Sequence, residues 1–365
     1  MEVREPLSTM TASPKAEARP RRDGRARFRV IVRGRSLLAL GLGAAVVVLV
    51  LVALASLAVG SRPIPLGTVV EALTDWDPGD RDHLIVRDLR GPRTLIGLLV
   101  GAALGLSGVL LQGLTRNPLA DPGILGISAG AALAAAAAVL FLRLGSVYGY
   151  IWFAFGGAAL GGALAYAIGS MGRDRSSPIK LALAGAAVTA IMTSLTTLIL
   201  LLDLATLDVL RFWLVGSLSG RSLDVAGQVW PFIVAAAATA LLLGRLLNAL
   251  SLGDDVARSL GIRLAGARAL VGVSAIVLAG AATAAAGPIV FVGLTIPHLV
   301  RAITGPDYRW ILPYSAVLAP VLLLGSDIVG RIVARPAELQ VGIVTALIGG
   351  PFFVALVRRR KLAEL

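Results

Sequence analysis

Residues 89–133 read LRGPRTLIGLLVGAALGLSGVLLQGLTRNPLADPGILGISAGAAL. From residue 94 to residue 114 the stretch is apolar for the length a helix needs to cross a bilayer, about 20 residues. It breaks at Asn117-Pro118 and again at Asp121-Pro122, then resumes as a second apolar run. Proline fixes φ, lacks an N–H and pushes the preceding residue out of the helical region. Two such steps so close together force a turn between two membrane helices. The chain is thus predicted to be an all-α integral membrane protein.

Composition supports this along the whole length. Of 365 residues 57% are hydrophobic and 15% charged, with mean hydropathy +0.85; a soluble domain is about half apolar and a quarter charged. Working outward from the quoted stretch, ten spans are predicted: 37–59, 94–114, 124–142, 148–171, 181–202, 225–247, 269–285, 289–300, 311–328 and 341–357. The eighth is short, and is expected either to extend through Gly287-Pro288 or to stop short of a full crossing. Residues 36–361 then form one polytopic domain. Residues 1–35 form a basic tail, with Arg19, Arg21, Arg22, Arg25, Arg27, Arg29, Arg33 and Arg35 among Pro, Ala and Gly, and are expected to be disordered. Ala53-Leu54-Ala55 has the look of a signal-peptide cleavage site, but the apolar run is too long and many spans follow.

The net charge is +13. In a soluble protein that would point to nucleic acid. Here the bases gather in the tail and at helix ends, where they anchor cytoplasmic loops to anionic lipid, so nucleic acid is not an expected partner. With the tail inside, the cytoplasmic segments carry Arg116, Arg173, Arg175, Lys180, Arg258, Arg263, Arg268, Arg301, Arg309 and 358–361. The outer loops carry Asp75, Asp77, Asp80, Asp82, Asp88, Asp203, Asp208 and Asp224. An even number of spans puts both termini in the cytoplasm.

Several chemistries are excluded. There is no cysteine for disulfides or thiol chemistry, and His83 and His298 are too far apart in sequence to suggest a metal cluster. Lys15, Lys180 and Lys361 do not follow glycine, so no P-loop is present, and no nucleophile–base arrangement suggests an enzyme. The polar groups inside the spans are mainly Ser107, Ser128, Thr189, Thr193, Ser194, Thr196 and Thr197. Buried ionisable groups would mark proton or sodium coupling, and their scarcity counts against a secondary transporter. Gly97, Gly101 and Gly105, and likewise Gly157 and Gly161, recur at four-residue spacing, as expected where helix backbones pack closely in lipid.

Two further stretches stand out. Leu252-Gly253-Asp254-Asp255-Val256-Ala257-Arg258-Ser259-Leu260-Gly261 reads as a short helical turn stopped by glycines, with acidic residues favouring its N-terminus. The second is GPIVFVGLTIPHLVR at 287–301, followed by 327–331, 338–342 and 349–353. Together with QGLTRNPLADPGILGISAGA at 112–131, these runs resemble the permease subunits of binding-protein-dependent ABC importers for iron-siderophores, haem and vitamin B12, the FecCD-type family. The resemblance covers about residues 37–360. Gln340 stands where the family usually has proline, which relaxes the start of the tenth span.

The resemblance implies a cell-membrane permease that pairs with a second permease subunit, either an identical copy or a paralogue. Two ATPase subunits would hold ATP and magnesium, and an extracytoplasmic substrate-binding protein would deliver cargo; this chain itself would bind no cofactor and no metal. It implies that Leu252, Gly253, Asp254, Asp255, Ala257, Arg258, Leu260 and Gly261 form the loop that couples to the ATPase, and that Ala257→Trp would disconnect ATP hydrolysis from transport. Arg90 and Arg331 would lie exposed at the outer face and meet carboxylates on the two lobes of the binding protein, so that reversing both charges abolishes docking but spares folding. Ser176, Ser177, Pro178 and Ile179 would be the inner gate. Asn117, Pro118, Asp121, Pro122, Pro297, His298 and Arg301 belong to the family's turn motifs, where His298 is read as structural. Residues 212–218 are expected to lie as a short helix on the outer surface, with an aromatic interfacial belt as the alternative. Ferric siderophore is favoured as the commonest cargo of the family; haem and cobalamin are the alternatives within it, and an ion-coupled secondary transporter the alternative outside it.

Overall fold

The turn at Asn117–Pro122 does separate two apolar helices. A computed structural model of the protein describes residues 34–361 except residue 124 and residues 172–177. The basic tail up to residue 33, and Ser176 and Ser177 of the expected gate, lie outside the described residues. The helices are α1 (Arg35–Ala58), α2 (Leu66–Thr74), α3 (Arg81–Leu84), α4 (Gly91–Thr115), α5 (Ile127–Leu142), α6 (Val147–Gly169), α7 (Pro178–Leu202) and α8 (Leu204–Leu214). They continue as α9 (Leu223–Leu242), α10 (Gly244–Ser251), α11 (Asp254–Ser259), α12 (Leu264–Ala286), α13 (Val292–Thr304), α14 (Tyr308–Val333) and α15 (Val341–Lys361). Among the described residues seven helices are long and apolar enough to cross a membrane, and three shorter apolar ones, α5, α13 and the first part of α15, fall at three further expected spans.

Helix α4 is the axis of the bundle. It is buried along most of its length and packs against α12, α13 and α14. Glycine makes this approach close enough. A Cβ on Gly101 would stand 2.5 Å from Pro320 Cα, and one on Gly108 2.0 Å from the carbonyl oxygen of Gly293. The second stripe works the same way between α5 and α6, where a Cβ on Gly157 would fall 2.3 Å from the Gly130 carbonyl oxygen. Lipid offers no hydrophobic force between helices, so such contacts hold the bundle by packing. Gly108→Ala is expected to cost about 1–3 kcal/mol by overpacking, seen as a lower unfolding temperature in detergent. Gly227→Ala in α9, with nothing within 4 Å of its Cβ, should instead match or exceed the parent, since alanine favours helix by about 1 kcal/mol.

The structure differs from the expected spans in three places. The second span is the end of a longer apolar helix, Arg81–Thr115, which includes a π-helical turn at Ile85–Arg90. The sixth divides at Leu243 into α9 and α10. The eighth begins only at Val292, where Phe291 takes a left-handed φ of 70°. Its N-terminal turn meets the middle of α4 at Gly108, so α13 is a half-span that starts inside the bundle. Residues 287–291 descend to it from the end of α12. Two helices were not foreseen, α2, which buries Val69 and Ala72 in a small side core with Ile64 and Val86, and the short α3; the short helix expected at 212–218 lies instead at Leu204–Leu214, and residues 215–218 are outside it.

Candidate functional sites at the two ends of the bundle

At the end where α1 finishes and α4 begins, arginines converge on a helix terminus. The last carbonyls of a helix lack intrahelical partners and carry the negative end of its dipole. Arg90 Nη1, from the π-helical turn, donates to Leu57 O at 2.7 Å and Ala58 O at 2.8 Å, and Nη2 reaches Arg62 O. Arg331 Nη1, from α14, donates to Ser56 O at 2.9 Å and Val59 O at 2.8 Å, and its Nη2 to Ser56 Oγ. Arg335 adds a bond to Gly60 O. Behind them Asp327 is fully buried. Arg93 donates to its two oxygens, with Nη2 2.7 Å from Oδ1 and Nε 3.0 Å from Oδ2, and Arg331 lies 3.1 Å away. Arg93 Nη1 also binds Glu338 at 2.7 Å.

This corrects the expected exposure of Arg90 and Arg331. They are 6% and 2% exposed, because their guanidinium groups close the end of α1. Reversing both charges cannot then be expected to spare folding. It also shows what sequence reading missed: an ionic cluster at the span ends in which Arg93, Asp327 and Arg331 are buried and Glu338 is partly exposed. The legible signal was Asp327 itself, a lone carboxylate in the apolar run of α14, four residues before an arginine. In front of the cluster lies a cavity of about 410 Å³, with Arg62, Arg90, Arg93, Arg221 and Arg331 on its walls against Asp88 and Glu338.

Helix α8 lies at this same end. Phe212 is exposed, as an interfacial residue would be, but Trp213 is buried, with its indole Nε1 3.3 Å from Ala284 O and its ring edge-on to Tyr150. The belt reading therefore does not hold for Trp213.

At the opposite end the two prolines shape a turn built by side chains. Asn117 Oδ1 accepts from Leu119 N at 3.0 Å and Asp121 Oδ1 from Gly123 N at 2.8 Å. Gln112 donates to Ala120 O and Gly293 O and accepts from Arg301, which ties this turn to α13. Pro297 lies within α13, and the His298 ring meets Phe352 of α15 edge-on at 5.9 Å. Pro122 Cδ packs where Gly293 leaves room. Asp121 is buried, and desolvation pushes its pKa up from 3.8 to about 6 despite the Gly123 N–H. The folded state therefore holds this proton more tightly than the unfolded chain. Its contribution to stability is greatest below about pH 4 and falls as pH rises through about 6. Asp121→Asn keeps the acceptor for Gly123 and removes the charge. It is expected to raise stability at pH 8 by up to about 3 kcal/mol, and by little at pH 4, read as unfolding temperatures at the two pH values.

Next to this turn stands α11, set between Gly253 and Gly261, both at positive φ. Ala257 is fully buried beneath it, whereas Leu252, Val256 and Leu260 are exposed. Asp254 anchors the knob, bonded to Arg116 at the end of α4 and to Arg268 of α12. Burial works to raise the Asp254 pKa, but the hydrogen bond from Arg116 and the charge of Arg268 outweigh it and hold it below the usual range. Asp255 and Arg258 pair on the outer surface of the knob. Because Ala257 points inward, Ala257→Trp would displace α11 itself rather than only block a partner.

Along α7 runs an open groove of about 840 Å³ lined by Ala186, Thr189, Ala190, Thr193, Ser194, Thr197, Leu198 and Leu201, with Gly123 from the turn. Most of the hydroxyls found in the sequence thus share one helix face. Pro178 and Ile179 begin this helix. Among the described residues no group of three His, Cys, Asp or Glu side chains is placed to hold a metal ion.

The chain is a multi-span helical bundle with a half-span that starts inside it, a short helical knob at one end and a groove lined by small residues. Residues 48–359 match the FecCD transport family, and the chain belongs to it. It is 44% identical to the probable siderophore transport system permease protein YfiZ of Bacillus subtilis, over 84% of this chain and 91% of the relative. It is 46% identical to the ferric enterobactin transport system permease protein FepD of Escherichia coli, again over 84% and 91%. Other relatives are permeases of ferric citrate, ferric hydroxamate and cobalamin import systems. Among solved structures, an inward-facing ABC transporter described as of metal-chelate type superposes with a TM-score of 0.75 at 29% identity, covering 88% of this chain and 99% of that one. The chain is thus related to iron-chelate ABC importer permeases, and is a multi-pass membrane protein.

Proposed function

We propose that this chain is the permease subunit of a binding-protein-dependent importer in the cell membrane, and that its cargo is a ferric siderophore. The observation that carries the assembly is α11. It presents Leu252, Val256 and Leu260 to solvent on a knob anchored by Asp254, in a chain that has no phosphate-binding loop of its own. Such a knob fits a cleft in an ATPase subunit, which would hold ATP and magnesium, and Asp254 would pass its movement to α4 and α12 through Arg116 and Arg268. The excess of basic residues supports a cytoplasmic position for this end. The arginine-lined cavity at the other end would receive carboxylates of a substrate-binding protein; charge complementarity of this kind sets register and on-rate.

Two permease subunits, identical or paralogous, would meet along the α7 groove and form the pore between them. Its Ala, Thr and Ser lining fits a bulky chelate that is enclosed rather than gripped. ATP binding would shift the balance between two states of the pore, as any such switch requires. The siderophore reading is supported by the identities of 44% and 46% to permeases of siderophore and ferric enterobactin systems; haem or cobalamin is the second reading.

The test is uptake of a labelled ferric siderophore into vesicles holding this chain, its ATPase and its binding protein, each omitted in turn. Uptake that needs all three is expected. ATP hydrolysis stimulated by the binding protein without siderophore uptake moves the cargo to haem or cobalamin. Flux through this chain alone, following an ion gradient, overturns the proposal.

A further inference from the structure

A further cavity, of about 230 Å³, lies between α4, α6 and α12 at the end of the bundle that carries the knob. Leu111, Leu125 and Ile127 are buried and form its inner wall. Tyr166 and Val273 stand at its mouth, 42% and 58% exposed. Leu164, Ile168 and Leu270 are exposed on the same two helices, both long and apolar enough to cross a membrane, so the mouth opens on a lipid-facing surface. Gly272 of the wall shows that helix packing does not close this space. A Cβ there would meet only Leu114 Cδ2, at 3.6 Å, an ordinary contact, against 2.0 Å at Gly108. Interiors hold few voids larger than a water molecule, and an apolar cavity of about 150 Å³ stays dry and takes a small hydrocarbon. The charge around this one is positive. Lys180 in the first turn of α7 and Arg263 at the N-cap of α12 are exposed. Arg268 lines the cavity and holds both oxygens of Asp254. Among the described residues no carboxylate lines it.

We propose that this cavity binds an acyl chain of an anionic phospholipid from the cytoplasmic leaflet, with the lipid phosphate drawn to Lys180 and Arg263. Apolar walls take the chain, because hydrocarbon fills a space that water does not. Basic pockets between membrane helices on the cytoplasmic side select anionic headgroups, and a tyrosine at the mouth suits the level where chain meets headgroup. The bound chain wedges α6 against α12 beside Arg268, the residue that ties α12 to Asp254 of the knob. Lipid in the cavity thus steadies the joint on which α11 is mounted. The lipid site depends on the function proposed above only for the cytoplasmic placement of this end; it needs neither the cargo nor the ATPase.

The test uses the full chain in detergent, stripped of lipid, and follows its unfolding temperature as phosphatidylglycerol or phosphatidylcholine with identical chains is added. The parent is expected to gain stability with both, and to reach half of the gain at a phosphatidylglycerol concentration about tenfold lower, as two cations near the phosphate require. Gly272→Leu fills the cavity from α12 and replaces glycine with a better helix former. Without lipid it should unfold at or above the parent temperature, and with lipid it should lose most of the gain and the headgroup preference. Lys180→Gln combined with Arg263→Gln should keep the gain and lose only the preference. A phosphatidylglycerol with a diazirine near the end of one chain gives a readout on the parent alone, in nanodiscs. Its label is expected on residues 111–114, 162–166 or 269–276, which line the cavity. Label confined to other segments overturns the site, as does a full gain in Gly272→Leu. Equal response of the parent to the two headgroups overturns the anionic lipid as occupant.

Discussion

Arg331→Glu is expected to prevent the protein from accumulating in folded form. The substitution places a second carboxylate beside Asp327, which now lies 3.1 Å from the arginine. It also strips Ser56 O, Val59 O and Ser56 Oγ of their donor. Breaking a buried ion pair costs about 3–5 kcal/mol, and bringing two like charges together in a low-dielectric site adds to it. A stability of about 5–15 kcal/mol does not absorb much of this. Arg331→Lys keeps the charge but not the fork, and should fold with a lowered unfolding temperature. The measurement is the monodisperse fraction in size-exclusion chromatography, followed by thermal unfolding of whatever folds. Normal folding of Arg331→Glu, with only binding-protein docking lost, would return this residue to a docking role and sink the helix-closing one.

The second large effect is expected at α11. Val256→Asp combined with Leu260→Asp should reduce ATP-driven uptake by more than tenfold and release the ATPase during purification, with the permease itself still folded. Both side chains are exposed, at 43% and 61%, so their replacement leaves no cavity in this chain, while two charges in an apolar contact surface carry an uncompensated desolvation cost. Ala257→Trp is a poorer test. Ala257 is fully buried, and an indole there moves the knob, so lost uptake would not separate coupling from local misfolding. Uptake at the parent level in the Val256→Asp, Leu260→Asp variant, with the ATPase still bound, would remove α11 from the coupling path.

Much of the fold was legible because a membrane span has an unambiguous signature. Apolar runs of about 20 residues mark crossings, and the pairs Asn117-Pro118 and Asp121-Pro122 mark a turn. The glycine stripes were legible too, and Gly101 and Gly157 do sit where backbones touch. The position of the α11 knob followed from Gly253 and Gly261, both of which take positive φ. What failed was the assignment of charges near helix ends. Hydropathy gives Arg90 and Arg331 the same appearance whether they face headgroups, a docking partner or the last carbonyls of a distant helix.

The sequence alone determined an all-α bundle whose apolar runs mark its main helices, and it contains no phosphate-binding loop. Both follow from local rules: in lipid every backbone group must be satisfied within its own helix, and a phosphate loop needs its glycines and lysine in one short stretch. Only the tertiary structure decided which charges are engaged. Arg331 meets Ser56 across 275 residues and Arg93 meets Asp327 across 234, and no local pattern encodes a partner at that separation. The same holds for Ala257 turning inward and for α13 starting inside the bundle, because burial of a given side chain is a property of the helices packed around it.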